Sequence, residues 1–119
     1  MKLTEAEWRV MEALWAHEPA ALGVLTEALK PINGWNKNTV HTYLTRMEKK
    51  GLVRIERMSE KPYRSAVSKE SCAREERHEL LSKVYGGAAG DLIAAFLKES
   101  PISKEEADRL RRMLDEMEV

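Results

Sequence analysis

Asn38, Thr39, His41 and Thr42 lie within five consecutive positions of this 119-residue chain. At about 100° per residue, Asn38, Thr42, Thr45 and Lys49 share one side of a helix, with His41 and Arg46 flanking. Val40, Tyr43, Leu44 and Met47 gather on the opposite side. A solvated helix in a chain this rich in charge would carry a Glu/Lys mixture. This face instead holds an amide, hydroxyls, an imidazole and bases, all of which can hydrogen-bond the edges of nucleic-acid bases. Asn38, Thr39, His41 and Thr42, near the helix start, are the candidates for base contacts. Lys37, Arg46 and Lys49, with Arg57, Lys61 and Arg64 further on, are the candidates for phosphate contacts. A helix surface that simply faces water explains any one of these residues equally well.

The overall charge argues the other way. Twenty Lys and Arg balance twenty Asp and Glu, whereas a nucleic-acid-binding domain is usually strongly basic. Counting by segment resolves the conflict. Residues 1–68 carry 11 basic and 8 acidic side chains, and residues 69–119 carry 9 and 12. Within residues 36–64 the count is 8 against 3, a local charge of +5. The zero is thus a basic stretch cancelled by an acidic C-terminal half.

The elements that must position these side chains can be read from periodicity and punctuation. Thr4 and Glu7 form a capping-box pattern ahead of a helix to His17, with Trp8, Val10, Met11, Leu14 and Trp15 on one broad face. Pro19 breaks the chain. A short helix bearing Val24, Leu25, Ala28 and Leu29 follows, poorly capped at its start and ending near Lys30 and Pro31. Asn33 and Gly34 mark a turn. The third helix runs over residues 36–50, with Asn36 as N-cap and Gly51 as the stop. Residues 53–58 alternate apolar and charged, a half-buried strand. A turn over residues 59–62 leads to a second strand over 63–67, with Arg57, Lys61 and Arg64 in or beside the tip. Three helices followed by a hairpin is the order of a winged helix-turn-helix.

After Val67 the chain is helical again. Ser68 caps a helix to Tyr85, whose stretch 73–79 is almost without apolar side chains and faces solvent, while Leu80, Leu81, Val84 and Tyr85 need burial. Gly86 and Gly87 end it. Residues 88–98 form a very apolar helix with Leu92, Ile93, Phe96 and Leu97. Pro101 precedes a second capping box at Ser103 and Glu106. The last helix shows Ala107, Leu110, Leu114 and Met117 at steps of 3, 4 and 3, a seam suited to helix pairing. These helices would pack best against a second copy of themselves. The expected fold is therefore mainly α: a winged-helix DNA-binding domain over 1–68 and a three-helix dimerisation domain over 69–119. Leu92, Ile93, Phe96, Leu97, Leu110, Leu114 and Met117 are its expected dimer contacts.

Several stretches together resemble the penicillinase-repressor family of transcriptional regulators, of the BlaI/MecI type with the CopY copper repressors as relatives. They are residues 3–11 (LTEAEWRVM) with Trp15, 38–46 (NTVHTYLTR), 49–53 (KKGLV), 83–87 (KVYGG), 91–97 (DLIAAFL) and 102–106 (ISKEE) through Leu110. The resemblance implies a homodimer that represses promoters bearing an inverted repeat. In the β-lactam branch it implies a membrane sensor-protease and cleavage before a Phe in the penultimate helix. The matching bond here joins Ala95 and Phe96, where characterised members have Asn before the Phe. The copper branch uses paired C-terminal cysteines, which this chain lacks. His41 stands where Arg is common.

Other chemistries find little support. The single cysteine, Cys72, rules out an internal disulfide framework and fits a reducing compartment. It reads as a small helix-face residue. His17, His41 and His78 are dispersed, without metal-ligand spacing. Neither a nucleophile elbow nor a glycine-rich phosphate loop occurs, so neither an enzyme nor a cofactor is expected. No apolar run reaches the ~20 residues that span a bilayer, and the first residues lack a signal-peptide pattern, so a cytoplasmic protein is expected. The competing function is a winged-helix protein-interaction module whose C-terminal helices bind a different chain. Such modules often lack a basic wing.

Overall fold

The computed structural model describes residues 2–117. Six helices and one hairpin follow in the expected order. Helix α1 is Glu5–His17, α2 Leu22–Asn33 and α3 Lys37–Lys49; strands β1 Val53–Ile55 and β2 Tyr63–Ser65 form the hairpin; α4 is Lys69–Tyr85, α5 Ala89–Glu99 and α6 Lys104–Glu116. The chain divides into two compact units, one ending at Arg77 and the other beginning at His78. The first unit is a winged helix, and its first turns of α4 belong to it.

Its core forms where the apolar stripes of α1, α2 and α3 converge. Met11 and Leu14 of α1, Leu25 and Leu29 of α2, and Leu44 and Met47 of α3 are wholly buried, and Leu52 joins them from the connection to β1. The hairpin closes one side through Val53 and Tyr63. Val53 pairs with Ser65 and Ile55 with Tyr63, so the alternation predicted from sequence is present with Arg54 facing outward. The strands are shorter than predicted. Glu56 N–H donates to the Pro62 carbonyl at 2.8 Å, but Pro62 has no N–H to return, and the ladder ends there. Arg57 and Met58 thus lie in the connecting turn.

Other differences from the sequence expectation have equally local causes. Helix α2 continues through Pro31 to Asn33 because Gly34, at φ 66°, donates its N–H to the Lys30 carbonyl and closes the last turn. Pro31 forfeits only the bond its missing N–H would have made one turn back. Ala20 exchanges two backbone hydrogen bonds with Tyr63, both 3.0 Å, tying the α1–α2 connection to the hairpin. Cys72 lies on a face of α4, as expected, and that face is buried in the core; burial pushes its thiol up, the opposite of activation.

In the second unit, no side chain of α5 or α6 is fully buried among the described residues. Ser103 Oγ accepts from Glu106 N–H at 3.1 Å, as its capping pattern predicts. No single helix among the described residues is long and apolar enough to cross a membrane.

Candidate nucleic-acid interface

Helix α3 is held at both ends. At its start Asn36 Oδ1 accepts from the N–H of Thr39 at 3.0 Å and from the Thr39 hydroxyl at 3.2 Å. At its end Lys50 reaches across to α1, and its Nζ donates to Glu7 Oε2 at 2.7 Å. The other Glu7 oxygen accepts the Thr4 N–H at 2.9 Å. Glu7 is only 5% exposed. Burial pushes its carboxyl up, but Lys50 and the Thr4 N–H outweigh that and hold it below its ordinary value. The pair was missed in the sequence, although a signal existed: Glu7 occupies the same apolar stripe as Val10, Met11 and Leu14.

The polar face of α3 is open. Asn38, His41 and Thr42 are exposed, as are Lys37, Arg46 and Lys49. Thr39 is half-buried and committed to the cap, so less of it is available than of its neighbours. The Thr42 hydroxyl donates to the Asn38 carbonyl at 2.9 Å. What Thr42 can offer a base edge is therefore its acceptor lone pairs and its methyl group, suited to an exocyclic amine or a thymine methyl. Arg46 lies 4.8 Å from the Tyr43 ring centroid, and Tyr43 stacks on Trp35 at 4.3 Å. This stack pre-orients a guanidinium beside Asn38, Thr39 and Thr42, which with Tyr43 and Arg46 line a shallow hollow of about 210 Å³. No acidic residue occupies the first turn of α3, leaving the positive end of the helix dipole uncancelled.

The wing adds four cations. Lys61 is exposed in the turn. Arg64 is half-buried and sits 3.4 Å from Glu56. Arg54, which the sequence-based site omitted, is exposed and faces Arg64 directly across the hairpin. Like charges opposite one another cost stability, and an anion placed between them would relieve that cost. Arg57 is different: it forks onto Glu48, the only acidic residue of α3, with Nη1 3.0 Å from Oε2 and Nη2 2.8 Å from Oε1.

In the second unit, Leu92 and Leu110 are half-buried, and Ile93, Phe96, Leu97, Leu114 and Met117 are exposed, Phe96 by 56%. Ile102, Val84 and Met113 add to this uncovered apolar surface. Ala95 is half-buried, and the bond to Phe96 lies in the middle of α5. Among the described residues no group of His, Cys, Asp or Glu gathers that could hold a metal ion.

The penicillinase repressor family model matches residues 3–116. The chain is 27% identical over 117 residues to the methicillin resistance regulatory protein MecI of Mammaliicoccus sciuri, covering 96% of this chain and 94% of that protein. It is 24% identical over 116 residues to the penicillinase repressor of Bacillus licheniformis, covering 97% and 91%. It is 23% identical over 118 residues to the penicillinase repressor of Staphylococcus aureus, covering 98% and 94%. The match is thus end to end, across winged helix and C-terminal helices alike, and the relatives are named as regulators and repressors. The chain belongs to the penicillinase repressor family, a family of regulatory proteins and not of enzymes.

Proposed function

We propose that this chain is a homodimeric transcriptional repressor that binds inverted-repeat operators in double-stranded DNA. The observation that carries this reading is the open face of α3, where Asn38, His41 and Thr42 stand exposed and Lys37, Arg46 and Lys49 surround them. Residues 1–68 hold the DNA, and residues 69–119 pair with a second copy. Each α3 enters a major groove, with Asn38, Thr39, His41 and Thr42 against base edges. Lys37, Arg46, Lys49, Lys61 and Arg64 meet phosphates. Two half-sites then lie about one helical turn, roughly 34 Å, or a multiple apart. The partner confines the protein's work to the cytoplasm, where the DNA is.

Pairing is supported by the second unit, whose α5 and α6 leave their apolar seams uncovered. Phe96, Leu97, Leu114 and Met117 are the central contacts. Derepression follows from cleavage between Ala95 and Phe96 by a membrane sensor-protease. The cut falls mid-helix, and helices without a core of their own open readily. It would separate Phe96, Leu97 and α6 from the rest of the seam.

Selection of bound fragments from a genomic library, with sedimentation of the full chain, tests both halves. Expected are fragments sharing a two-fold-symmetric site, salt-dependent affinity and a dimer at micromolar concentration. A monomer would sink the dimer mechanism, and retention of protein partners without DNA would favour an interaction module.

A further inference from the structure

The segment between β1 and β2 is weakly held. Its backbone tie to the opposite strand is the single bond from Glu56 to Pro62, and the Arg64–Glu56 pair stays inside the hairpin. Residues 56–61 are all exposed. Lys61, at the turn, can reach a phosphate only if this segment keeps a fixed place relative to α3. One side-chain tie does leave the hairpin for that helix. The Arg57 guanidinium donates two parallel hydrogen bonds, 2.8 and 3.0 Å, to the Glu48 carboxylate. Glu48 is half-buried one position before the end of α3, so its carboxylate is a fixed acceptor. A forked pair constrains angle as well as distance, which a lysine cannot do.

Resting on the DNA-binding reading, we propose that Arg57 is a positioning residue that latches the wing to the recognition helix through Glu48, and not a phosphate anchor. The two roles predict different things for Glu48. A carboxylate near phosphates repels them, so if Glu48 were a bystander, neutralising it would tighten DNA binding and release Arg57 to help. If it is half of a latch, neutralising it frees the wing and weakens binding. They also differ for Arg57→Lys. That change keeps the charge a phosphate needs and loses the fork a latch needs.

The test uses the full chain and reads amide hydrogen exchange at Glu56 and Arg64 without DNA. Glu48→Gln, Arg57→Ala and Arg57→Lys are each expected to raise exchange there by about threefold, with the core of the first unit unchanged. The Glu48→Gln, Arg57→Ala double variant should add nothing beyond either single change. The exchanged pair, Glu48→Arg with Arg57→Glu, should restore protection. Affinity for a fragment selected by the wild-type chain should fall about threefold in all three single variants. Unchanged exchange, additive effects in the double variant, or tighter binding by Glu48→Gln would each overturn the latch. If the wild type retains no DNA while exchange rises as expected, the latch stands and the DNA-binding reading falls.

Discussion

The two units of this chain solve the same problem differently. Both are built of helices with strong apolar stripes, yet only one closes a core. In the first, α1, α2 and α3 turn their stripes toward one another and the hairpin covers the remaining side, leaving Met11, Leu14, Leu25, Leu29, Leu44, Met47 and Leu52 with essentially no exposed surface. In the second, the stripes of α5 and α6 have no fully buried side chain among the described residues, with Phe96 56% and Leu114 61% exposed. The first is a complete core, and the second leaves its stripes uncovered. Apolar surface of that extent on a monomer normally marks an interface, so the stability of the second unit should depend on chain concentration and that of the first should not.

The sharpest way to break this contrast is in the complete core. Leu44 is wholly buried beneath the candidate recognition face. Leu44→Ala should cost about 2–5 kcal/mol of unfolding free energy, the transfer term plus the cavity it leaves. Urea unfolding followed by tryptophan fluorescence measures it, since Trp8 and Trp15 pack against this core. The midpoint should not move with chain concentration. A midpoint that did would mean the first unit also relies on a partner.

Phe96→Asp probes the second unit. It puts a charge into the uncovered seam of α5 and should raise the dissociation constant of the proposed dimer by roughly 30-fold or more, as for a central aromatic in an interface. Sedimentation across a concentration series reads that shift. The unfolding midpoint of the first unit should stay in place. Loss of stability there, with the association unchanged, would reverse the assignment of the two units.

How much of this could be read in the sequence follows the same division. Helix α3 was legible because Asn36 and Gly51 punctuate it and its polar face breaks the charged pattern of the chain. The wing was legible because Val53 and Ile55 alternate with Arg54 and Glu56. The apolar residues of α5 and the narrow seam of α6 were legible as stripes, and the structure leaves most of them exposed. What escaped were contacts between residues far apart in sequence whose side chains have a second plausible home. Glu7 looked complete as a capping partner, yet its second oxygen holds Lys50. Arg57 looked like any wing cation, yet Glu48 occupies it. Arg54 was counted as charge and given no place until the register set it opposite Arg64. Cys72 had only polar and charged residues three and four positions away to share a helix face with, so nothing announced its burial.

The Glu7–Lys50 pair sharpens the contrast by pH. The folded-state carboxyl of Glu7 is held below its ordinary value of 4.5. Its contribution to stability is therefore fully present above that value and is lost as pH falls through the lower folded value. Breaking the pair leaves a buried carboxylate without its cation. Lys50 is partly open to solvent, so the cost of Lys50→Ala at neutral pH should be about 1–2 kcal/mol, below that of a fully buried pair. Unfolding measured between pH 7 and pH 3 should show a shallower loss in Lys50→Ala than in the wild type. An identical slope would remove Glu7 as its source. Dimer dissociation should respond to neither change.

The smallest expected effect separates reading from holding on the face the first unit presents. Thr42 has its hydroxyl proton committed to Asn38, so its contact with a base would run through lone pairs and methyl. Such a contact is worth at most the low end of base discrimination, about 1 kcal/mol. Thr42→Ala should then weaken binding to a selected operator about fivefold and leave binding to random duplex nearly unchanged. Arg64→Ala should weaken both and lower the slope of log affinity against log salt by about one, because it removes a single phosphate contact. Gel shifts on the two duplexes at several salt concentrations give all four numbers. Equal losses on both duplexes for Thr42→Ala would move Thr42 out of the base-reading set and leave Asn38 and His41 to carry it, which the same comparison at those positions would decide.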